Sequence, residues 1–147
     1  MIGPFPVATA ADPQRRLRVL LAEDHPANRV VVQVVLSQID VELLAVENGA
    51  EAVEAFRKAV FDVILMDLQM PVMDGLTAIR EIRAFEAAQS RARTPILAVT
   101  ANALAEHIAA SRAAGADLHI AKPIAPMALI SAITDHVAAA DAATRAA

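Results

Sequence analysis

Residues 61–75 read FDVILMDLQMPVMDG. The stretch opens with an apolar run of strand length, reaches an aspartate at position 67, and enters a loop whose Pro71, Asp74 and Gly75 favour turns. Residues 76–88, which follow, show a helical period. The stretch therefore predicts a strand that ends at a carboxylate and is followed, after a tight loop, by a helix. We assign Asp74 to capping that helix.

The same unit of strand and helix recurs along the chain. Apolar runs of strand length occupy residues 17–22, 41–46, 61–66, 96–100 and 118–121. Segments of helical period occupy residues 26–38, 50–60, 76–88, 103–114 and 126–139. Because parallel neighbours need a crossover between them, the alternation predicts an α/β fold, a doubly wound five-stranded parallel sheet with helices on both faces.

The composition predicts one soluble domain. The chain has 147 residues, 56% of them hydrophobic, with a mean hydropathy of +0.45. No apolar run approaches the roughly 18 residues that cross a bilayer, so we expect no membrane contact from this segment. We expect a flexible lead-in or linker at residues 1–16, the folded domain at residues 17–139 and an alanine-rich, fraying tail at residues 140–147.

Charge and residue types exclude several kinds of partner and chemistry. A net charge of −4 and scattered basic residues argue against direct binding of nucleic acid. The absence of cysteine removes disulfides, thiolate catalysis and thiolate metal sites, and it fits a cytoplasmic location. The histidines are too dispersed for a metal triad, and we expect His25, His107 and His136 at the surface.

Polar side chains end or follow four of the five predicted strands. They are Glu23 and Asp24 after the first strand, Asp67 after the third, Thr100 at the end of the fourth and Lys122 after the fifth. In an open parallel sheet these ends meet at one edge. Three carboxylates repel one another without a cation, and an all-oxygen donor set selects a hard ion such as Mg²⁺. The Lys122 ammonium and the Thr100 hydroxyl can bind phosphoryl oxygens. The whole set of side chains therefore predicts phosphoryl transfer to an aspartate.

Four motifs carry a resemblance to a known family. They are LLAEDHPANR at residues 20–29, VILMDLQMPVMDG at 63–75, TPILAVTA at 94–101 and AKPI at 121–124. With them the chain, from about residue 17 to about residue 137, resembles the receiver (response regulator) domains of two-component signalling. The motifs look most like receivers attached to hybrid sensor histidine kinases. The resemblance implies the flavodoxin-like receiver fold.

The resemblance also implies a role for each strand-end residue. Asp67 would accept a phosphoryl group from a phosphohistidine of a histidine kinase or a histidine-phosphotransfer protein, and the domain would then switch conformation. Asp24 and Asp67 would bind Mg²⁺, with Glu23 assisting through water and the Gln69 backbone carbonyl completing the protein ligands. Thr100 and Lys122 would hold phosphoryl oxygens, and the Lys122-Pro123 bond would be cis. One position departs from the family, because His119 stands where Tyr or Phe is usual; this imidazole is either a half-buried spacer or a group that titrates near neutral pH.

The sequence argues against two other functions. A magnesium-dependent phosphatase of the haloacid dehalogenase kind would carry an acid two residues after its nucleophile, where this chain has Gln69. A degenerate receiver used only for docking would have no need of the intact acid set. An isolated receiver would be no enzyme beyond its own phosphorylation and dephosphorylation. The chain is either a single-domain regulator or part of a larger hybrid kinase.

The first helix carries more apolar residues than one buried face needs. At about 100° per residue, one apolar arc is predicted to face the sheet. Its members are Val31, Val32, Val35, Leu36 and Ile39. Val30 and Val34 fall outside it. They are either ordinary exposed valines or a hydrophobic docking strip for a helix of the phosphodonor protein.

Overall fold

A five-stranded parallel sheet organises the structure, a computed structural model that describes residues 16–101 and 104–146. The strands are β1 (Leu17–Ala22), β2 (Val41–Val46), β3 (Val63–Asp67), β4 (Ile96–Thr100) and β5 (Leu118–Ala121). Their order across the sheet is β2-β1-β3-β4-β5, and every neighbouring pair is parallel. The predicted fold class is confirmed.

Five helices connect and flank the strands. They are α1 (Pro26–Leu36), α2 (Gly49–Lys58), α3 (Gly75–Ala88), α4 (Ala105–Ala114) and α5 (Pro126–Ala146). Side chains alternate along the strands, so the sheet has two apolar faces. On one face Leu20 and Ile64 pack with α2 and α3. On the other face Leu21 and Leu65 pack with α1 and α5.

Several element boundaries differ from the predicted ones by one or two residues, and α5 differs by more. Strand β3 begins at Val63 rather than Phe61, because the Asp62 side chain accepts a hydrogen bond from the Arg18 amide at 2.8 Å in a bend before the strand. Helix α1 ends at Leu36, since the Ser37 hydroxyl bonds back to the Val34 carbonyl at 2.6 Å.

Helix α5 continues to Ala146, although sequence analysis predicted its end at residue 139. Alanine is the strongest helix former, so the alanine-rich end extends the helix where fraying was expected. Residues 1–15 of the predicted lead-in and the predicted first residue of α4, Ala103, lie outside the described residues. The domain boundaries therefore remain a prediction.

The buried face of α1 is narrower than the predicted arc. Val32, Val35 and Leu36 are buried, but Val31 is 47% exposed. The prediction for Val31 was wrong because Val31 lies at the edge of the arc, while the helix turns the Val32 and Leu36 side towards the sheet. Val31 therefore joins Val30 and Val34, which are 54% and 62% exposed. Within residues 16–101 and 104–146, no helix combines the length and apolar character needed to cross a membrane.

Candidate functional site

Three carboxylates meet at the carboxyl edge of the sheet. Strands β1 and β3 are neighbours with Ala22 opposite Met66, so the residues after Ala22 lie beside Asp67. One oxygen each of Glu23, Asp24 and Asp67 lies within 4.8 Å of the others. Glu23 and Asp67 are only 3% and 4% exposed. The predicted acidic group is therefore present, and most of it is screened from bulk water.

Lys122 follows β5, and its ammonium reaches these acids from the β4–β5 side of Asp67. Its Nζ lies 3.0 Å from Glu23 Oε1 and 3.4 Å from Asp67 Oδ2. The Lys122 amide donates to the Thr100 carbonyl at 2.8 Å, which ties the loop after β5 to the end of β4. The Lys122-Pro123 peptide bond is cis, as the resemblance implies.

Thr100 lies at the same edge. It ends β4, is 2% exposed, and is one residue beyond Val99, which pairs with Asp67 across the sheet. The five side chains predicted from strand ends are thus on neighbouring strands at one edge. A phosphoryl group on Asp67 would find an ammonium and a hydroxyl on the β4–β5 side.

The loop after Asp67 supports its carboxylate. The Gln69 amide donates to Asp67 Oδ1 at 3.1 Å. A Cβ at Gly75 would collide with the Asp67 carbonyl oxygen, so this close approach requires glycine. Asp74 accepts from the Thr77 amide at 2.9 Å, which confirms its assignment to capping α3.

Burial and charge shift the acid-base properties of the site in different directions. Burial raises the pKa of Asp67 to about 6, and the neighbouring Glu23 charge adds to the rise. Burial also opposes ionisation of Glu23, but hydrogen bonds from the His25 amide, Lys122 and Asn28 outweigh it and hold its pKa below the usual range. Burial opposes the charge of Lys122 too, yet its bonds to Glu23 and Asp67 raise its pKa. Glu23 and Lys122 therefore form a charged pair, whereas ionisation of Asp67 is disfavoured.

The donor set fits a divalent cation. Asp24 Oδ1 is buried and has no hydrogen-bond partner among the described residues, although it belongs to the acidic group. Such an orphaned acceptor requires an explanation, and a hard cation that accepts oxygen ligands supplies one. Among the described residues, the group that could hold an ion consists of three carboxylates, and oxygen ligands favour Mg²⁺ over softer metals.

The histidines lie apart from the acidic group or at its margin. His25 is exposed beside Asp24, with 3.8 Å between His25 Nε2 and Asp24 Oδ2. His107 is exposed on α4, whereas His136 is half-buried and its Nδ1 lies 2.8 Å from the Ala132 carbonyl oxygen. His119 is half-buried, and burial together with the charges of Arg112 and His107 lowers its pKa. His25 and His107 are exposed, as predicted, and His136 is half-buried.

Two residues of α1 support the site, although no role is predicted for them from the sequence. The Arg29 guanidinium donates to the Glu23 carbonyl at 2.8 Å. The Asn28 side chain hydrogen-bonds the Glu23 carboxylate. The available signal was their spacing, because residues five and six positions after a strand-end acid fall on the first turn of the next helix and can reach back to it.

Comparisons with known proteins agree with this geometry. The family description "Response regulator receiver domain" matches residues 19–134. Sensor protein GacS of Pseudomonas syringae pv. syringae is 44% identical over 110 residues, which cover 75% of this chain and 12% of GacS. Virulence sensor protein BvgS of Bordetella pertussis is 36% identical over 135 residues, 90% of this chain and 11% of BvgS. The chain thus spans a small part of these sensor proteins.

Two solved structures are similar in fold. The receiver domain of sensor histidine kinase PA1611 from Pseudomonas aeruginosa PAO1, with a magnesium ion coordinated in its active site cleft, is 35% identical with a TM-score of 0.76. The match covers 84% of this chain and 99% of that one. The second is the co-crystal structure of the Saccharomyces cerevisiae histidine phosphotransfer signaling protein Ypd1 and the receiver domain of its downstream response regulator Ssk1. It matches at 28% identity with a TM-score of 0.80, over 84% of this chain and 90% of that one.

Proposed function

Because the chain belongs to the response regulator receiver domain family, we propose that it is a phosphorelay module whose Asp67 accepts a phosphoryl group from a phosphohistidine. One observation carries the assignment to Asp67. Its carboxylate lies within 3.4 Å of the Lys122 ammonium, in a group with two further carboxylates, on a loop whose amide holds its other oxygen.

The chemistry follows from the residues around Asp67. A carboxylate oxygen of Asp67 forms the new P–O bond while the P–N bond of the phosphohistidine breaks, and the imidazole nitrogen keeps the electron pair. With a pKa of about 6, Asp67 is ionised at neutral pH and is ready as the nucleophile. Lys122 then binds a phosphoryl oxygen, and the Thr100 hydroxyl binds another, which couples phosphorylation to β4 and α4.

We assign Mg²⁺ to Asp24, Asp67 and the Gln69 carbonyl, with Glu23 reaching it through water. The bound ion would neutralise the carboxylates and the incoming phosphoryl oxygens. The orphaned Asp24 Oδ1 supports this assignment, as does the magnesium ion of the PA1611 receiver domain.

The partner is a histidine kinase or a histidine-phosphotransfer protein, and the similarity to the Ssk1 receiver domain crystallised with Ypd1 supports this proposal. The similarity to receiver segments of sensor kinases supports a place in a hybrid histidine kinase. We propose that this segment alone catalyses only its own phosphorylation and dephosphorylation, in the cytoplasm, and that it contacts neither nucleic acid nor membrane. The phosphatase alternative is disfavoured because Gln69 supplies no acid, and the intact acidic group disfavours a docking-only role.

Mass spectrometry after incubation with acetyl phosphate tests the proposal. We expect one phosphoryl group on the wild-type protein with Mg²⁺ and none in excess chelator, because the three carboxylates must be neutralised before an anionic donor can approach. Asp67→Asn should abolish the adduct. Asp74→Asn is the matched control, since Asp74 lies in the same loop but caps α3. An equal adduct on Asp67→Asn, or in excess chelator, would refute the assignment.

A further inference from the structure

Arg29 clamps the peptide that joins the first two acids. It is half-buried in the first turn of α1, and its Nη1 donates to the Glu23 carbonyl at 2.8 Å. The Glu23 amide donates to the Val46 carbonyl at 3.0 Å at the end of β2. The backbone of Glu23 is therefore fixed on both sides, by β2 through its amide and by α1 through its carbonyl.

This clamp acts on Asp24 through the peptide plane. The Glu23 carbonyl and the Asp24 amide belong to one planar peptide group, so a bond that fixes the carbonyl also fixes the direction in which Asp24 leaves the strand. The Glu23 side chain has its own supports, because the His25 amide donates to Oε2 at 3.1 Å and Lys122 donates to Oε1 at 3.0 Å. In contrast, Asp24 Oδ1 has no hydrogen-bond partner in the part of the chain that the structure describes. Asp24 Oδ2 lies 3.8 Å from Nε2 of the exposed His25, too far for a hydrogen bond, so the position of this carboxylate depends on its backbone.

We propose that Arg29 is a positioning residue for the divalent cation, which holds Asp24 in the direction that metal binding requires without touching the metal. The inference rests on the proposed Mg²⁺-dependent function. The charge of Arg29 and the geometry of its hydrogen bond predict opposite effects of its removal on Mg²⁺ binding. A guanidinium beside an acidic group repels a cation, so its removal should tighten Mg²⁺ binding if charge alone mattered. If the clamp matters, its removal should weaken binding.

Titration of the purified protein with MgCl₂, followed by calorimetry and by amide chemical shifts, tests the inference. We expect Arg29→Gln to raise the dissociation constant for Mg²⁺ about tenfold, the lower end of the loss seen when partners behind a metal ligand are removed. Arg29→Lys keeps the charge and one donor on a flexible stem, so it should recover part of the affinity. The Glu23 amide, which donates to the Val46 carbonyl, should also exchange with solvent faster in Arg29→Gln without metal.

Arg91→Gln is the matched control. The Arg91 guanidinium also donates from Nη1 to a backbone carbonyl, that of Phe56, at 3.0 Å, far from the acids. Its loss should lower thermal stability and leave the Mg²⁺ affinity unchanged. Equal or tighter Mg²⁺ binding by Arg29→Gln would overturn the inference alone, whereas a wild-type protein that binds no Mg²⁺ would overturn the proposed function as well. If Arg29→Gln does not fold, Arg29→Met decides, because it keeps the aliphatic stem and removes every donor, and wild-type Mg²⁺ affinity for it would overturn the clamp.

Discussion

At the scale of single residues, the ionised form of the Asp67 carboxylate is destabilised by its surroundings. Its pKa is about 6 in the fold against 3.8 as the ordinary value, chiefly because of burial and then because of the Glu23 charge. Between these two pH values the folded protein binds more protons than the unfolded chain. The contribution of Asp67 to the free energy of unfolding of the metal-free protein should therefore fall as the pH rises through this window, and nearly the whole loss should be present at neutral pH.

Asp67→Asn should remove this loss. We expect the metal-free variant to be more stable than the wild type at pH 7.5, by at most about 3 kcal/mol from a shift of roughly two pKa units, and the difference to shrink towards pH 4. Urea unfolding in chelator at several pH values measures it. Asp135→Asn, on the exposed side of α5, is the control and should change nothing. A variant less stable than the wild type at pH 7.5 would contradict the charge argument.

The site residues that could be predicted from the sequence are those whose positions follow from the topology of the sheet alone. Glu23, Asp24, Asp67, Thr100 and Lys122 follow from strand ends in a parallel sheet, and the structure brings them to one edge. Asn28 and Arg29 received no role because their contacts depend on the pitch and direction of α1 relative to β1. The partial burial of His119 likewise depends on how α4 lies beside β5.

At the scale of elements, the loop between β3 and α3 holds one strained residue. Val72 has a φ of 68°, and the amide of Met73 bonds to the Pro71 carbonyl at 2.7 Å across it. A β-branched residue is rarely found in the left-handed region, where asparagine is several times more common. Val72 is also 85% exposed, so its side chain adds little packing that would offset the strain.

Val72→Asn should therefore stabilise the protein by about 1 kcal/mol, which is the lower end of the cost of such a conformation. Chemical denaturation of the metal-free protein measures the gain. Val60→Asn is the matched control, because Val60 is 53% exposed in a connecting segment but does not have a positive φ. That control should be neutral or slightly destabilising. A loss of stability in Val72→Asn would show that the valine side chain, and not the backbone conformation, decides.

Thr100, at the end of β4, is expected to couple phosphorylation of Asp67 to α4. Thr100→Ala should still accept a phosphoryl group, since Asp67 and the carboxylates proposed to hold Mg²⁺ remain, but the amide shifts that phosphorylation induces in α4 should be lost. Lys122→Ala should impair both. NMR spectra with and without acetyl phosphate measure the effect, and Thr94→Ala, a buried threonine just before the other end of β4, is the control. Wild-type shifts in Thr100→Ala would mean that the switch runs through another residue.

The types of the secondary-structure elements could be predicted from periodicity in the sequence, whereas several contacts between elements could not be predicted in this way. The Arg83 guanidinium donates to Asp117 at 2.8 Å and to Glu86 at 2.9 Å, and so joins α3 to the segment before β5. Glu86 is 5% exposed, although an isolated glutamate in a helix suggests a solvated face. Such a buried network joins residues more than thirty positions apart, and local sequence patterns carry no information about that distance.

At the scale of the whole molecule, the acidic edge and the exposed face of α1 adjoin. Helix α1 begins directly after His25, which follows Glu23 and Asp24, so its first turns lie next to Asp67. The exposed valines of α1, namely Val30, Val31 and Val34, form an apolar strip on this flank. A protein donor must bring its phosphohistidine to Asp67, and a helix of that donor could bury the strip as it does so.

Removing two of these side chains should then separate docking from chemistry. We expect Val30→Ala with Val34→Ala to weaken binding of a histidine-phosphotransfer protein or a kinase dimerisation domain by about 1–3 kcal/mol, as interface truncations that matter do. Transfer from the phosphorylated protein donor should slow accordingly. Phosphorylation by acetyl phosphate should keep its wild-type rate, because this small donor needs no docking surface and the residues around Asp67 are unchanged.

Val60→Ala is the matched control for the α1 double variant. Val60 is 53% exposed, close to the 54% of Val30, but it precedes β3 and so lies at the opposite end of the sheet from Asp67. Val60→Ala removes the same two methyl groups, so it controls for any general effect of a smaller apolar surface. It should leave transfer from both donors unchanged. Equal slowing with both donors in the double variant would place the defect in the phosphorylation chemistry, and no slowing with either would show that the α1 valines are ordinary surface residues. Only selective slowing with the protein donor fits a docking strip.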